Sequence, residues 1–323
     1  MLRLIAALLL ATAVEAQVTI DTREPEVALG IADAIAQGKT VSSWNELFAT
    51  PGYRDLKERE AAMKRAFTDE EFRAFIAHDV VPRRNELRRT LADWKRFDID
   101  SATKRARRYL PAGTAIKATV YPLIKPKKNS FVFTTSHGKA IFLYLDPSVS
   151  GPKFANTVIH ELHHIGYAAA CPSPTDHTPQ SIARQYLGGF GEGLAVLAAA
   201  GDARTHPHAV SPAAERAVWD RDVAKVAEDI PRLEKFFTDI LDGRLANDSA
   251  ISSAFMSFIS TDDIPQGAFY TVGWMMASTI ERARGRGALV AMICDPVRMM
   301  RTYNEIVGRA AWSEALLTRL GGG

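Results

Sequence analysis

Residues 150–170 read Ser150-Gly-Pro-Lys-Phe-Ala-Asn-Thr-Val-Ile-His-Glu-Leu-His-His-Ile-Gly-Tyr-Ala-Ala-Ala170, and this stretch decides how the rest of the chain is understood. Ser150 is suited to cap a helix, and Pro152 is tolerated in a first turn where a missing amide donor costs little. Phe154, Val158, Leu162, Ile165 and Ala169 recur at spacings of three and four, so they predict one apolar stripe. His160 and His164 leave the helix on a different side and share one face, four residues apart. An H-E-x-x-H run in a helix is the pattern in which two imidazoles bind zinc and the glutamate, here Glu161, accepts a proton from water. His163 is only three residues from His160. The four-residue spacing selects His164, and leaves His163 as a packing residue or one that orients a ligand. Three of the eight histidines fall within these five positions, which a merely polar helix face does not explain.

Catalytic zinc usually takes three protein ligands, so a third must come from elsewhere. Glu192 is the best candidate. It sits in Gly188-Gly-Phe-Gly-Glu-Gly-Leu-Ala-Val-Leu-Ala-Ala-Ala-Gly201, a carboxylate at the start of an otherwise apolar helix, where an uncompensated charge is expensive and a metal ion would compensate it. Placement at the positive end of a helix is the plainer explanation for the same residue. His177, in the loop Cys171-Pro-Ser-Pro-Thr-Asp-His177, is the alternative ligand. A third histidine six residues after His164 is excluded, because position 170 is Ala. One zinc ion per chain is the expectation.

With these ligands the chain resembles the gluzincins, zinc metallopeptidases that use the two histidines of H-E-x-x-H and a downstream glutamate. More narrowly it is similar to a group of uncharacterised bacterial zinc-dependent peptidases. That likeness is carried by the motif, by Gly191-Glu-Gly-Leu-Ala195, and by Tyr-Thr-Val-Gly-Trp-Met-Met-Ala at Tyr270 to Ala277, and covers roughly residues 115 to 310. Two departures stand out. The interval from His164 to Glu192 is longer than in thermolysin-like enzymes, and Val196 occupies the place where those carry an aspartate. The resemblance implies a zincin-like core acting on a peptide or protein substrate. It also implies that a strand beside the zinc helix forms the sheet edge along which an extended peptide lies, and Ala140–Leu145 is the matching element by position.

The fold class expected is α+β, mainly helical. Residues 1–16 read as a cleaved export signal, with Arg3, an apolar run from Leu4 to Ala13, and Val14-Glu-Ala16 before the cut. The protein is therefore expected to be exported, periplasmic or secreted. Residues 17–110 read as an N-terminal helical region: Pro25 to Gln37, a short helix opened by Ser43 and closed by Pro51-Gly52, and capping-box spacing at Thr68-Asp-Glu-Glu71. Residues 111–200 form the expected zinc-binding core. There Ala118–Ile124, Ser130–Thr135 and Ala140–Leu145 are β-branched and aromatic runs that suggest a small antiparallel sheet just before the zinc helix. Residues 201–323 return to helices, clearest at Pro212–Leu241 and Tyr270–Arg284. An apolar content of 47% permits a substantial core. No later stretch approaches the roughly 20 apolar residues of a membrane span. Losing Arg3 and Glu15 with the leader leaves the formal charge at +3, too weak a bias to argue for nucleic acid. Cys171 and Cys294 are the only cysteines; an exported compartment allows them to pair, and the sequence does not say whether they meet.

Zinc lowers the pKa of a bound water to about 7, and Glu161 is placed to act as general base and then to protonate the departing amine. The tetrahedral oxyanion needs a further donor, and Tyr270, at a helix start beside Gly267 and Gly273, is the candidate; Tyr303, Tyr167 and His137 are weaker ones. Two other functions use the same metal ligands: a non-catalytic zinc-binding exported protein, and a metal hydrolase of a non-peptide amide or ester.

Overall fold

A computed structural model describes residues 18–245, 247–260 and 266–321. The expected export signal, 1–16, lies outside the described residues. The protein is mainly helical and carries one four-stranded sheet: β1 (Val18–Ile20), β2 (Ala118–Leu123), β3 (Phe131–Thr135) and β4 (Gly138–Tyr144), in the order β1-β2-β4-β3.

The sheet is mixed, which corrects the expectation of an antiparallel one. β1 pairs with β2 and β2 with β4 in parallel, Val120 lying opposite Ile141, and only the β3–β4 hairpin is antiparallel, Phe131 opposite Phe142. Parallel neighbours need a long connection, and the helices of residues 23–107 supply it between β1 and β2. The three residues of β1 are too few to show a period. A second correction concerns the edge. Ala140–Leu145 matches β4, which is flanked on both sides; the edges of the sheet are β1 and β3.

Alternation along the strands gives the sheet two apolar faces. Ala118, Val120, Ile141 and Leu143 join the larger core, while Tyr121, Leu123, Ala140 and Phe142 pack with Leu56 on the other face. The chain between β1 and β2 forms α1 (Arg23–Ala36), α2 (Trp44–Ala49), α3 (Pro51–Ala62), α4 (Asp69–Phe75), α5 (Arg84–Trp94) and α6 (Ile99–Arg107). The capping box at Thr68 and Glu71 is formed. Pro51, expected to close a helix, instead opens α3, because the Thr50 side chain accepts the amide of Tyr53 and proline needs no partner in a first turn.

α7 (Gly151–Ala170) follows the sheet. It is capped by Ser150, whose hydroxyl accepts the Lys153 amide, with Pro152 in the first turn. Phe154, Val158, Leu162 and Ile165 are buried, and Phe154 stacks on Trp94 with ring centroids 4.1 Å apart. Each such side chain contributes roughly 1.5–3 kcal/mol. Ala169, the last member of the predicted stripe, is exposed.

The C-terminal part is α8 (Pro179–Tyr186), α9 (Gly191–Ala200), α10 (Ala213–Val223), α11 (Val226–Leu241), α12 (Asp248–Met256), α13 (Ala268–Val290), α14 (Pro296–Val307) and α15 (Glu314–Gly321). The predicted Pro212–Leu241 helix is thus two, broken at Ala224-Lys225. A second core, rich in aromatic rings around Phe190, Phe237 and Phe269, lies among these helices. α13 joins the two cores, giving Phe269, Val272 and Met276 to the second and Ala277, Ile280 and Leu289 to the first. A disulfide between Cys171 and Cys294 ties the end of α7 to the segment after α13.

Candidate metal centre

α9 packs against α7 on one side and α13 on the other, and this three-helix contact builds the site. Glu192 stands in the first turn of α9. The far end of that helix is closed by Gly201, whose φ of 93° is left-handed. Carbonyls at that end and just beyond it meet cations: Arg105 donates to Ala199, Arg286 to Gly201 and Arg282 to Ala203. Positive charge there complements the helix dipole and satisfies carbonyls that would otherwise lack donors.

Two glycines set the distance between α9 and α13. A Cβ on Gly193 would lie 2.0 Å from the backbone nitrogen of Trp274 and 2.3 Å from the carbonyl carbon of Gly273, and one on Gly273 would lie 2.8 Å from the carbonyl oxygen of Phe190. Only glycine at both positions permits this backbone contact. Glu192 precedes one of these glycines and Tyr270 is three residues before the other, so the contact brings both side chains to the face of α7 that carries His160 and His164.

The result is a compact donor set. Glu192 Oε2 is 3.0 Å from His164 Nε2 and 3.3 Å from His160 Nε2, and the two Nε2 atoms are 3.0 Å apart. Among the described residues these three form the one group of histidine, cysteine and carboxylate side chains close enough to hold an ion together. Ligands bound to zinc at roughly 2.0–2.1 Å in a tetrahedron stand roughly 3.3–3.4 Å from one another, so the spacing fits that ion with little adjustment. His177 and His137 are not in the group.

The electrostatics agree with the spacing. Burial pulls the His164 imidazole down, but the charge and hydrogen bond of Glu192 more than reverse this and raise it to about 9. Burial pushes the Glu192 carboxyl up, and His164 and His160 outweigh it and hold the carboxyl well below the usual range. A partly buried carboxylate and two imidazoles facing one point favour a cation there.

Glu161 is half-buried beside these ligands on α7. The Tyr270 ring lies nearly parallel to that of His160, at an interplanar angle of 6° with centroids 6.3 Å apart. Burial first, then the negative charges of Glu192 and Glu161, push the Tyr270 hydroxyl far up, so it stays protonated and able to donate. His163 points the other way, fully buried, with Nε2 3.4 Å from the Tyr109 carbonyl oxygen. Burial and the neighbouring His164 drive it down to about 3, which keeps it neutral. Tyr303 is buried in the second core, Tyr167 packs beside Gly191, and His137 lies at the β3–β4 turn against Asp55.

The family profile described as putative zinc dependent peptidase (DUF5700) matches residues 44–310. The chain belongs to this family. Its description implies zinc dependence and a peptide or protein substrate, consistent with the convergence of His160, His164 and Glu192. No curated protein and no solved structure matches the chain. The matched span holds all three candidate ligands, Glu161, Tyr270 and both spacing glycines. Sequence reasoning passed over Gly193 and Gly273 as determinants of the site. The available signal was their placement inside helices, where glycine costs roughly 1 kcal/mol and a close approach explains its retention.

Proposed function

We propose that this protein hydrolyses peptide bonds, holding one zinc ion through His160, His164 and Glu192 and using Glu161 as general base. The observation that carries the proposal is the mutual approach of Nε2, Nε2 and Oε2 within 3.0–3.3 Å, with Glu161 on the helix that presents two of them. A zinc ion in that position supplies Lewis acidity and makes water available as a nucleophile near neutral pH. Glu161 takes a proton from the attacking water as its oxygen bonds to the substrate carbonyl carbon. When the carbon–nitrogen bond breaks, Glu161 returns the proton to the departing amine. Tyr270, protonated and stacked over His160, donates to the oxygen that becomes negative when the carbonyl is attacked.

Three readings accompany this one. We propose that the chain divides into an N-terminal helical region (17–110), a zinc-binding core (111–200) and a C-terminal helical part (201–323). Among the described residues no helix is long and apolar enough to cross a membrane. Export to an oxidising compartment is proposed from the leader-like residues 1–16, and the Cys171–Cys294 bridge supports it.

Digestion of a peptide library by the purified protein tests the proposal, with and without chelator and after zinc is restored. Cleavage that vanishes with chelator and returns with zinc is expected. A protein that holds zinc and cleaves nothing would instead be a zinc-binding protein, and cleavage that survives loss of the metal would remove the metal from the chemistry.

A further inference from the structure

Alongside β1 and the first residues of β2 and β4 the surface opens into a cleft of two lobes, about 510 and 600 Å³, that share Thr19, Thr119 and His137 along their common wall. Ile165 and Ala169 of α7 line the first lobe, roughly half a turn around that helix from His160. The cleft therefore lies behind the zinc helix, away from the metal ligands.

Its charge is one-sided. Lys117 and Lys139 line the first lobe and Arg54 the second, and none of these three side chains has an ion-pair or hydrogen-bond partner among the described residues. Asp21, the acidic residue of the lining, is already paired with Arg23. Glu58, near the turn, is taken up by the amide and hydroxyl of Ser136. The whole chain carries a formal charge of only +3, so three unpaired cations in one concavity are a marked concentration. Cations gathered in a cleft with low-dielectric walls focus their field outward and attract anions more strongly than the same charges spread over a surface.

The dividing wall is built as well as charged. His137 Nδ1 is 2.7 Å from Oδ1 of Asp55, a carboxylate 1% exposed, and the Thr135 hydroxyl donates to the other oxygen of that carboxylate at 3.4 Å. The ring is held at one edge, while the side chain is 59% exposed. Thr19 and Thr119 add hydroxyls to the same wall.

We propose that this cleft binds an acidic, extended polypeptide segment, with carboxylates in both lobes and backbone groups along the Thr19–Thr119–His137 wall. Two lobes with cations in each suit a ligand carrying several separated charges, whereas one phosphate-sized anion would fill a small part of either. Nucleic acid fits less well. Bases need flat aromatic platforms, and the aromatic rings in the lining are the exposed His137 and Tyr121, which is buried. The binding does not depend on the metal chemistry, so it stands or falls separately from the peptidase proposal.

Fluorescence anisotropy of labelled octaglutamate with the whole protein tests this at low and high salt. Saturable binding at low salt is expected, weakened about tenfold or more in Arg54→Gln/Lys117→Gln/Lys139→Gln. The control Lys127→Gln/Lys128→Gln/Arg309→Gln, which removes as many exposed cations elsewhere, should bind as the wild type does. Equal weakening in both triple variants, or absence of saturable binding, overturns the proposal. Displacement of octaglutamate by inorganic phosphate as readily as by unlabelled octaglutamate would make this a small-oxyanion site. A labelled oligothymidylate that binds more tightly than octaglutamate and responds to the same cleft substitutions would assign the cleft to nucleic acid.

Discussion

Gly193 and Gly273 hold α9 and α13 in backbone contact, with a Cβ on the first falling 2.3 Å from the carbonyl carbon of the second. Glu192 and Tyr270 reach the same face of α7 because nothing stands between those two glycines. The atoms that a methyl group on Gly193 would meet are backbone, so no side chain can turn aside to admit it. Gly193→Ala is expected to force the helices apart, at a cost at or above the roughly 1–3 kcal/mol of overpacking. Zinc content should fall with it because Glu192 moves. Melting temperature and bound zinc measured together check this, and a variant that keeps both would show that the contact does not set the site.

The ligand assignment gives opposite expectations for adjacent histidines. His160→Ala, His164→Ala and Glu192→Ala should each lose most of the bound zinc. His163→Ala should retain it and lose stability instead, since the ring fills a fully buried position and leaves a cavity when removed. Metal analysis of the four purified variants decides. Full zinc in Glu192→Ala would require another third ligand.

Tyr270→Phe isolates a single hydroxyl. The interaction strengthens as charge develops on the substrate oxygen, so kcat should drop while KM changes little. The loss should be roughly 2.7–4 kcal/mol of barrier. The ring still packs over His160, so zinc content should hardly move. Equal kcat for variant and wild type on a cleaved peptide would return Tyr270 to a packing role.

Much of this site was legible in the sequence because the chemistry is local. His160, Glu161 and His164 lie on one helix whose cap, first-turn proline and apolar stripe are all readable at short range. Glu192 was legible as a charge out of place at the head of an apolar helix. The strand pairing was not, since β1 is three residues long and its partner residues lie 100 positions further along the chain. Assigning Ala140–Leu145 to an edge failed for a related reason. Both β2 and β3 border β4, and β2 reaches it only by a pairing that skips over β3 in sequence. The bridge between Cys171 and Cys294 likewise depends on where α13 ends, which no local pattern reports.

Glu24 makes stability depend on pH. It is 1% exposed in the first turn of α1; one carboxyl oxygen accepts the Ile124 amide at 3.0 Å, and the other has no partner. Burial pushes its pKa up to about 8, partly offset by the Ile124 hydrogen bond. A carboxyl raised in the folded state ionises first in the unfolded chain. Its contribution is therefore fully present below the unfolded value of about 4.3 and is lost as pH rises toward 8. Glu24→Gln keeps the acceptor and cannot ionise. Urea unfolding should show variant and wild type similar near pH 4 and the variant more stable at pH 8, by up to a few kcal/mol. Parallel pH profiles for the two proteins would contradict this.

The central claim is that Glu161 moves the proton in a zinc-dependent hydrolysis, and Glu161→Gln tests it most directly when turnover of a cleaved peptide and bound zinc are measured on the same preparation. The variant should hold as much zinc as the wild type and lose a factor of roughly 10² to 10⁴ in kcat. Wild-type turnover in a zinc-loaded Glu161→Gln protein would contradict the account.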